Sequence, residues 1–265
     1  MMLTEIFMIP SNLTTIRQLL RREYKVSNMI KEKCKLLRLA YVADLYEKIP
    51  FENPEQYLMD LLQKEIELRE FAKGERLIKK AKFMYEKELD DYQWGEHIHF
   101  PPNLDQESLK TLSFIKQKEN LILTGAPGTG KSHLSIALGR KACRNGFEVR
   151  FYRVADLIEL LEKSWSEGRF QILRNRFSKV DLIILDEMGY VPFSKTGAEL
   201  LFQLISDWYE QKSLIMTSNL EFSQWHKVFV DARLTAALVD RVIHHAHILS
   251  FTGDSYRVKY ALSNR

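Results

Sequence analysis

The sequence predicts an α/β chain: a three-layer αβα domain around a five-stranded parallel sheet, preceded by an all-helical N-terminal domain. Three observations predict it. From residue 119 onward, short apolar runs alternate with amphipathic helical stretches, the pattern of a parallel sheet covered on both faces. A glycine-rich motif, Gly125-Ala-Pro-Gly-Thr-Gly-Lys-Ser132, joins the first of those runs to the first of those helices. Nine of the eleven glycines lie from Gly125 onward, so the first part of the chain, with only Gly74 and Gly95, has a helical composition.

Taken in order, residues 14–47 and 54–90 are rich in Leu, Lys, Glu, Arg and Ala at helical spacing. Ile49-Pro-Phe-Glu-Asn-Pro54 separates them, because proline disfavours helix at and before its own position. Pro101-Pro102 marks a second break, and the domain boundary is placed in Asp90–Asn103, giving domains 1–95 and 96–265. The expected strands are Leu121–Thr124, Glu148–Tyr152, Asp181–Leu185, Ser213–Thr217 and Ala246–Phe251. The expected helices between them are Lys131–Asn145, Val154–Phe177, Gly197–Gln211 and Leu234–His244.

Composition excludes several classes. A 265-residue chain that is 45% hydrophobic and 28% charged can bury a core, which rules out wholesale disorder. No apolar stretch approaches the roughly 18 residues of a membrane span, and the first residues lack the basic lead-in and apolar block of a secretory signal. The two cysteines, Cys34 and Cys143, are far apart without a CxxC pattern, which fits a reducing cytoplasm rather than a disulfide framework or a cysteine-based metal site. His244, His245 and His247 bunch together without acids at ligand spacing, so no transition-metal site is expected.

The chemistry concentrates in the glycine-rich motif. It matches GxxxxGK[ST] in full, follows Leu121-Ile-Leu-Thr124 and opens a helix. Gly125, Pro127, Gly128, Thr129 and Gly130 would curl the backbone so that successive N–H groups face phosphate oxygens, at a helix N-terminus that favours anions. Lys131 would reach the β- and γ-phosphates of ATP, and the Ser132 hydroxyl would ligate Mg²⁺, with His133 alongside. Val180-Asp-Leu-Ile-Ile-Leu-Asp-Glu187 is an apolar strand ending in two carboxylates. Asp186 would hold the Mg²⁺ shell and Glu187 would activate the attacking water as general base. A third run, Ser213-Leu-Ile-Met-Thr-Ser-Asn219, places Asn219 to fix that water or the γ-phosphate.

Gly125–Ser132 with His133-Leu-Ser-Ile-Ala, Asp181–Tyr190, Gly197–Ser206, Thr217-Ser-Asn219 and Gly253-Asp-Ser-Tyr-Arg257 closely resemble the IstB-like transposition helper ATPases of bacterial insertion sequences. These belong with the DnaC-type helicase loaders in the AAA+ superfamily. The resemblance covers essentially the whole chain, and its specific part lies in residues 119–257. It implies an AAA+ P-loop fold in which Lys131 and Ser132 are the Walker A pair, Asp186 and Glu187 the Walker B pair, and Asn219 is sensor 1. It also implies that Arg241 is an arginine finger completing the ATP site of a neighbouring protomer, with Arg233 as its rival, and that Arg257 is sensor 2. Only 14 residues follow Phe251, too few for the helical lid that many AAA+ proteins carry. Tyr92, in Asp91-Tyr-Gln-Trp94, is a candidate for stacking on the adenine.

The resemblance further implies non-specific duplex DNA, a cognate transposase and an ATP-dependent homo-oligomer as partners. The charge distribution fits the first. The net charge is only +4, but residues 11–48 hold nine bases against four acids, and Ala72–Lys82 holds five against one. Arg21, Arg22, Lys73, Arg76, Lys79, Lys80 and Lys82 are therefore candidate phosphate contacts, as are Arg169, Arg174 and Arg176 between the second and third strands. Two alternatives share the motifs. A helicase loader would use the same core on a replicative helicase, and a small-molecule P-loop kinase would need an acceptor pocket.

Overall fold

The computed structural model describes residues 13–189, 192–229 and 231–256, with side chains from residue 24 onward. The chain divides into two compact units, 1–72 and 73–265.

The first unit is helical. Helix α1 spans Leu13–Leu36, α2 spans Val42–Leu45 and α3 begins at Pro54. Its small core gathers Cys34, Val42 and Leu61. One buried carboxylate organises the turn between the first two helices. Glu65 accepts from the backbone N–H groups of Ala40, Tyr41 and Val42 at 3.0, 2.7 and 2.8 Å. Burial works against its ionised form, but these donors and Arg69 outweigh burial and hold its pKa below the ordinary value. The helical stretch expected over 14–47 is thus two helices, separated where Arg38 takes φ +58°.

The second unit begins inside α3 (Pro54–Ala81). That helix ends at Lys82, in the left-handed region at φ +61°, well before the expected end at residue 90. Glu88 then holds the following segment to the sheet unit through Arg140 at 2.7 Å and Arg144 at 2.8 Å. Ile78, Ala81, Leu89 and Tyr92 are buried in the sheet unit's core. The compact division therefore falls at 72/73, earlier than the 95/96 boundary expected from the prolines.

From there the chain runs through β1 (Ile98–His99), α4 (Gln106–Lys110), α5 (Ser113–Gln117), β2 (Asn120–Gly125), α6 (Lys131–Arg144), β3 (Val149–Arg153), α7 (Val154–Ser166) and α8 (Phe170–Arg176). It continues through β4 (Leu182–Met188), α9 (Lys195–Trp208), β5 (Ser213–Ser218), α10 (His226–Phe229), α11 (Ala232–His244) and β6 (Ala246–Phe251). The sheet order is β1-β6-β2-β5-β4-β3. The five expected strands form its parallel body, and the unexpected two-residue β1 adds an antiparallel edge on β6. Two residues are too few to show a period in sequence.

Alternate residues of each strand face opposite layers. Ile122, Ile183 and Leu185 pack with α7, α9 and α11. Leu121, Leu123, Leu182 and Ile184 pack with α6 and with Phe114 and Ile115 of α5. The expected helix Val154–Phe177 is broken between α7 and α8 by Gly168, at φ +67°. Gly168 N bonds Trp165 O at 3.0 Å and Arg169 N bonds Ser164 O at 2.7 Å, the paired bonds of a glycine-terminated helix end.

Candidate nucleotide-binding site

The site forms where β2, β4 and β5 end beside the start of α6. Gly125 and Gly128 make the loop possible. Their φ angles are +142° and +81°, and a Cβ would fall 2.1 Å from the Phe251 carbonyl oxygen at one and 2.1 Å from Ser255 Oγ at the other. Gly130 opens α6 at φ +100°, and the Thr129 hydroxyl donates back to Ala126 O at 2.8 Å.

Lys131 is only 7% exposed. Its ammonium donates to the carbonyls of Gly125 at 2.7 Å and Ala126 at 2.6 Å. Burial lowers its pKa to about 8, partly opposed by the Asp186 carboxylate. With Lys131 as the phosphate-binding cation, this predicts a pH dependence of nucleotide binding. Below pH 8 Lys131 is charged in the free protein. Above it the group is neutral and must take up a proton before it can pair with phosphate. ATP affinity should therefore be flat from pH 6 to 7.5 and fall about tenfold per unit once pH passes 8, with a proton taken up on binding. Calorimetry across that range checks it, and Lys131→Arg, which stays charged, should flatten the profile.

Asp186 is buried and joins two elements. Its Oδ1 accepts from Ser132 Oγ at 2.8 Å and from Thr217 Oγ1 at 2.5 Å. Glu187 follows with an exposed side chain and φ +63°. Its backbone N donates to Thr217 Oγ1 at 2.9 Å. Asn219, just beyond β5, carries a buried Oδ1 with no hydrogen-bond partner among the described residues, and the same holds for His133 Nε2. Burial lowers the His133 pKa, helped by Lys87. A cavity of about 410 Å³ is lined by Pro127, Gly128, Gly130, Lys131, Ser132, His133, Glu187, Thr217 and Asn219.

These residues fit a magnesium nucleotide. Loop N–H groups and Lys131 suit phosphate oxygens. Ser132 and Asp186 offer the oxygen ligands that Mg²⁺ prefers. Asn219 Oδ1 and His133 Nε2, unpartnered among the described residues, are buried polar atoms that a bound ligand could satisfy.

The structure brings together Gly125, Pro127, Gly128, Gly130, Lys131, Ser132, His133, Asp186, Glu187 and Asn219, with Thr129 supporting the loop. Tyr92 lies beside them rather than on the cavity wall. Its ring makes edge contacts with Trp94 at 4.9 Å and His133 at 5.1 Å, and its hydroxyl sits above Gly130. Arg241 is not on the cavity wall of its own chain. It donates to Ala237 O at 2.9 Å and lies over the Phe202 ring at 4.9 Å. Arg233 is exposed at the start of α11. Arg257 lies outside the described residues, but Tyr256 before it lines the cavity and its N–H donates to Gly128 O at 3.0 Å. Tyr85 and Lys87 also line the cavity; nothing in their sequence context marked them.

Arg21 and Arg22 lie on α1, and their side chains are outside the described residues. Lys73, Arg76, Lys79, Lys80 and Lys82 are exposed. Lys80 pairs with Glu148 at 2.6 Å, and Arg76, Lys79 and Lys82 line an open groove with Tyr85 and Arg140. Arg169 pairs with Glu167 at 3.3 Å, Arg174 is bidentate to Asp207 at 2.8 and 2.7 Å, and Arg176 is exposed. Histidines supply one surprise. His244 and His245 meet Glu210 on the surface, their ligand atoms all within 4.8 Å of one another. The acid missing from the local sequence is delivered by the turn after α9.

The family described as IstB-like ATP binding protein matches residues 46–264. A relative from Pseudomonas aeruginosa, named as an ATP-binding protein of insertion sequence IS21, is 37% identical over 210 residues, covering 78% of each chain. One from Bacillus thuringiensis subsp. berliner, named as an ATP-binding protein of insertion sequence IS232, is 35% identical over 205 residues, covering 76% of this chain and 80% of its own. Among solved structures, AMPPCP-bound DnaA from Aquifex aeolicus superposes with TM-score 0.53 at 21% identity, covering 68% of this chain and 55% of that one. The DnaC helicase loader superposes with TM-score 0.50 at 23% identity, covering 65% and 100%. The fold is therefore that of the AAA+ P-loop proteins.

Proposed function

This chain belongs to the IstB-like ATP-binding protein family, and from that premise we propose that it is an ATP-hydrolysing helper of transposition, which assembles on duplex DNA and assists a cognate transposase in choosing its target. The observation that carries the hydrolytic part is the junction of Ser132, Asp186 and Glu187 at the mouth of the phosphate loop. Lys131 and the loop N–H groups would bind the phosphates. Ser132 and Asp186 would hold Mg²⁺, whose chemistry is to neutralise charge on the phosphate oxygens. Glu187 would take a proton from the attacking water, and Asn219 would orient that water. The products are ADP and phosphate.

Arg241 supports an oligomeric reading. It stands away from its own cavity, on a helix where it could serve a neighbouring copy as a charge-stabilising finger. DNA binding is supported by the basic residues at the end of α3 and by their groove, which shares Tyr85 with the nucleotide cavity. The groove also contains Glu75 and Glu86, so Arg76, Lys79 and Lys82 would make discrete phosphate contacts on a surface of mixed charge. The N-terminal unit exposes Leu58, Met59, Leu62 and Ile66 along α3, apolar surface of the kind a protein partner covers. Among the described residues no helix is long and apolar enough to cross a membrane.

The reading is tested by ATP hydrolysis with and without duplex DNA of arbitrary sequence. Stimulation by DNA is expected, and it should weaken steeply as salt rises, because phosphate contacts release counterions. Hydrolysis that ignores DNA but responds to a small-molecule phosphate acceptor would overturn it.

A further inference from the structure

The two carboxylates sit on a defect in the sheet. Strands β4 and β5 run in register from Leu182 opposite Ser213 to Leu185 opposite Met216, and resume with Met188 opposite Ser218. Two residues of β4, Asp186 and Glu187, therefore face one residue of β5, Thr217. Such a bulge breaks the alternation of a strand and re-aims side chains. In a regular strand residues 186 and 187 would point to opposite faces. Here Asp186 turns to Ser132 while Glu187 lines the same cavity. Glu187 absorbs the extra residue at φ +63°, a strained conformation for a side chain with a Cβ, which persists only where neighbours hold it.

Two hydroxyls of β5 hold the bulge: Ser218 Oγ donates to Met188 O at 2.9 Å just beyond it, and Thr217 spans the two bulged residues themselves. Thr217 Oγ1 gives its proton to Asp186 Oδ1 at 2.5 Å and accepts the Glu187 backbone N–H at 2.9 Å. Thr217 is 2% exposed, so water competes poorly for either bond. We infer that Thr217 is a positioning residue for hydrolysis: its hydroxyl pins the bulge that aims Glu187 and fixes Asp186 against Ser132. The inference rests on the reading of this site as an ATPase. Nothing in the Thr-Ser-Asn run itself singles out Thr217, because its role exists only through the two-against-one pairing.

The test compares Thr217→Val with Thr217→Ser. Valine keeps the shape and removes the hydroxyl. Because Glu187 would lose its aim while Lys131 and the loop stay in place, kcat should fall about ten- to a hundredfold, up to the loss that a ~1 Å misplacement of a reacting group can cause. KM for ATP and affinity for ADP should stay within about threefold. The Mg²⁺ concentration for half-maximal rate should rise, since Asp186 loses its second donor. Serine restores the hydroxyl and should return kcat to within about threefold of wild type. If Thr217→Val is insoluble, Thr217→Cys replaces it: a thiol of similar size but poor donor strength should lie at least about fivefold below serine. Wild-type kcat in Thr217→Val, equal loss of ADP affinity and kcat, or serine no better than valine would each overturn the inference. A wild-type protein that hydrolyses no ATP, with or without DNA, would overturn the ATPase reading as well, whereas a hydrolysing wild type matched by Thr217→Val overturns this inference alone.

Discussion

Lys131→Ala should abolish productive nucleotide binding. The ammonium is the one buried cation on the described cavity wall and its stem is enclosed by the phosphate loop. Truncating a buried charge that pairs with phosphate typically costs ATP about 10²- to 10³-fold in affinity. The fold should not suffer in proportion. Burial already holds the Lys131 pKa down near 8, which means the charged form is disfavoured in the resting protein. Removing it should leave Tm unchanged or slightly higher, while the stabilisation that ATP gives the wild type disappears. Thermal unfolding with and without Mg²⁺ and ATP reads both effects. An unchanged ligand-induced shift in the variant would place the nucleotide elsewhere.

Glu187→Gln should separate binding from hydrolysis. Glutamine keeps the size and the hydrogen-bonding reach of the side chain but cannot accept a proton. The rate should fall about 10²- to 10⁴-fold, the contribution general-base catalysis usually makes. Lys131, Ser132 and Asp186 are untouched, so ATP affinity should change by no more than about threefold. In the proposed cycle this variant holds ATP without releasing it as ADP, and its complexes with DNA should outlast those of the wild type. A rapid-quench measurement of one turnover, beside nitrocellulose retention of labelled ATP, checks both halves. Loss of ATP binding together with hydrolysis would reduce Glu187 to a structural residue.

The sequence was most informative where chemistry demands a fixed local geometry. The phosphate loop was readable because glycine is required where φ is positive and a neighbouring backbone closes in, as at Gly125 beside Phe251. The central strands were readable because β2, β4 and β5 carry runs buried on both sides and therefore apolar, Leu121–Leu123, Leu182–Leu185 and Leu214–Met216. What escaped was whatever depends on distant residues. Gly168 divides α7 from α8, yet a lone glycine in a helical stretch is ambiguous until its neighbours are placed. The chain from Lys82 to Asp90 reads as helix but is held open by Glu88 on Arg140 and Arg144. Those partners lie more than fifty residues away. Tyr85, Lys87 and Tyr256 reach the cavity by the same kind of long-range folding. Glu210 meets His244 and His245 for the same reason, from the turn after α9.

The site residues divide along the same line. Lys131, Ser132, Asp186 and Glu187 were legible as types at motif spacing. The bulge that lets Asp186 and Glu187 share one site was not, because it is a property of two strands and not of one. Arg241 stays a proposal about two copies of the chain, since its guanidinium is engaged with Ala237 and Phe202 of its own.

The central claim is an ATP-dependent assembly on DNA, and one measurement tests it most directly. Sedimentation of the protein with a duplex of arbitrary sequence, in Mg²⁺ with ATP or with ADP, should be run beside Lys131→Ala at low and moderate salt. The account predicts large complexes with ATP that shrink steeply as salt rises, as phosphate contacts require. They should be absent with ADP and absent in the variant. DNA ignored in every nucleotide state, by a protein that still hydrolyses ATP, would contradict it.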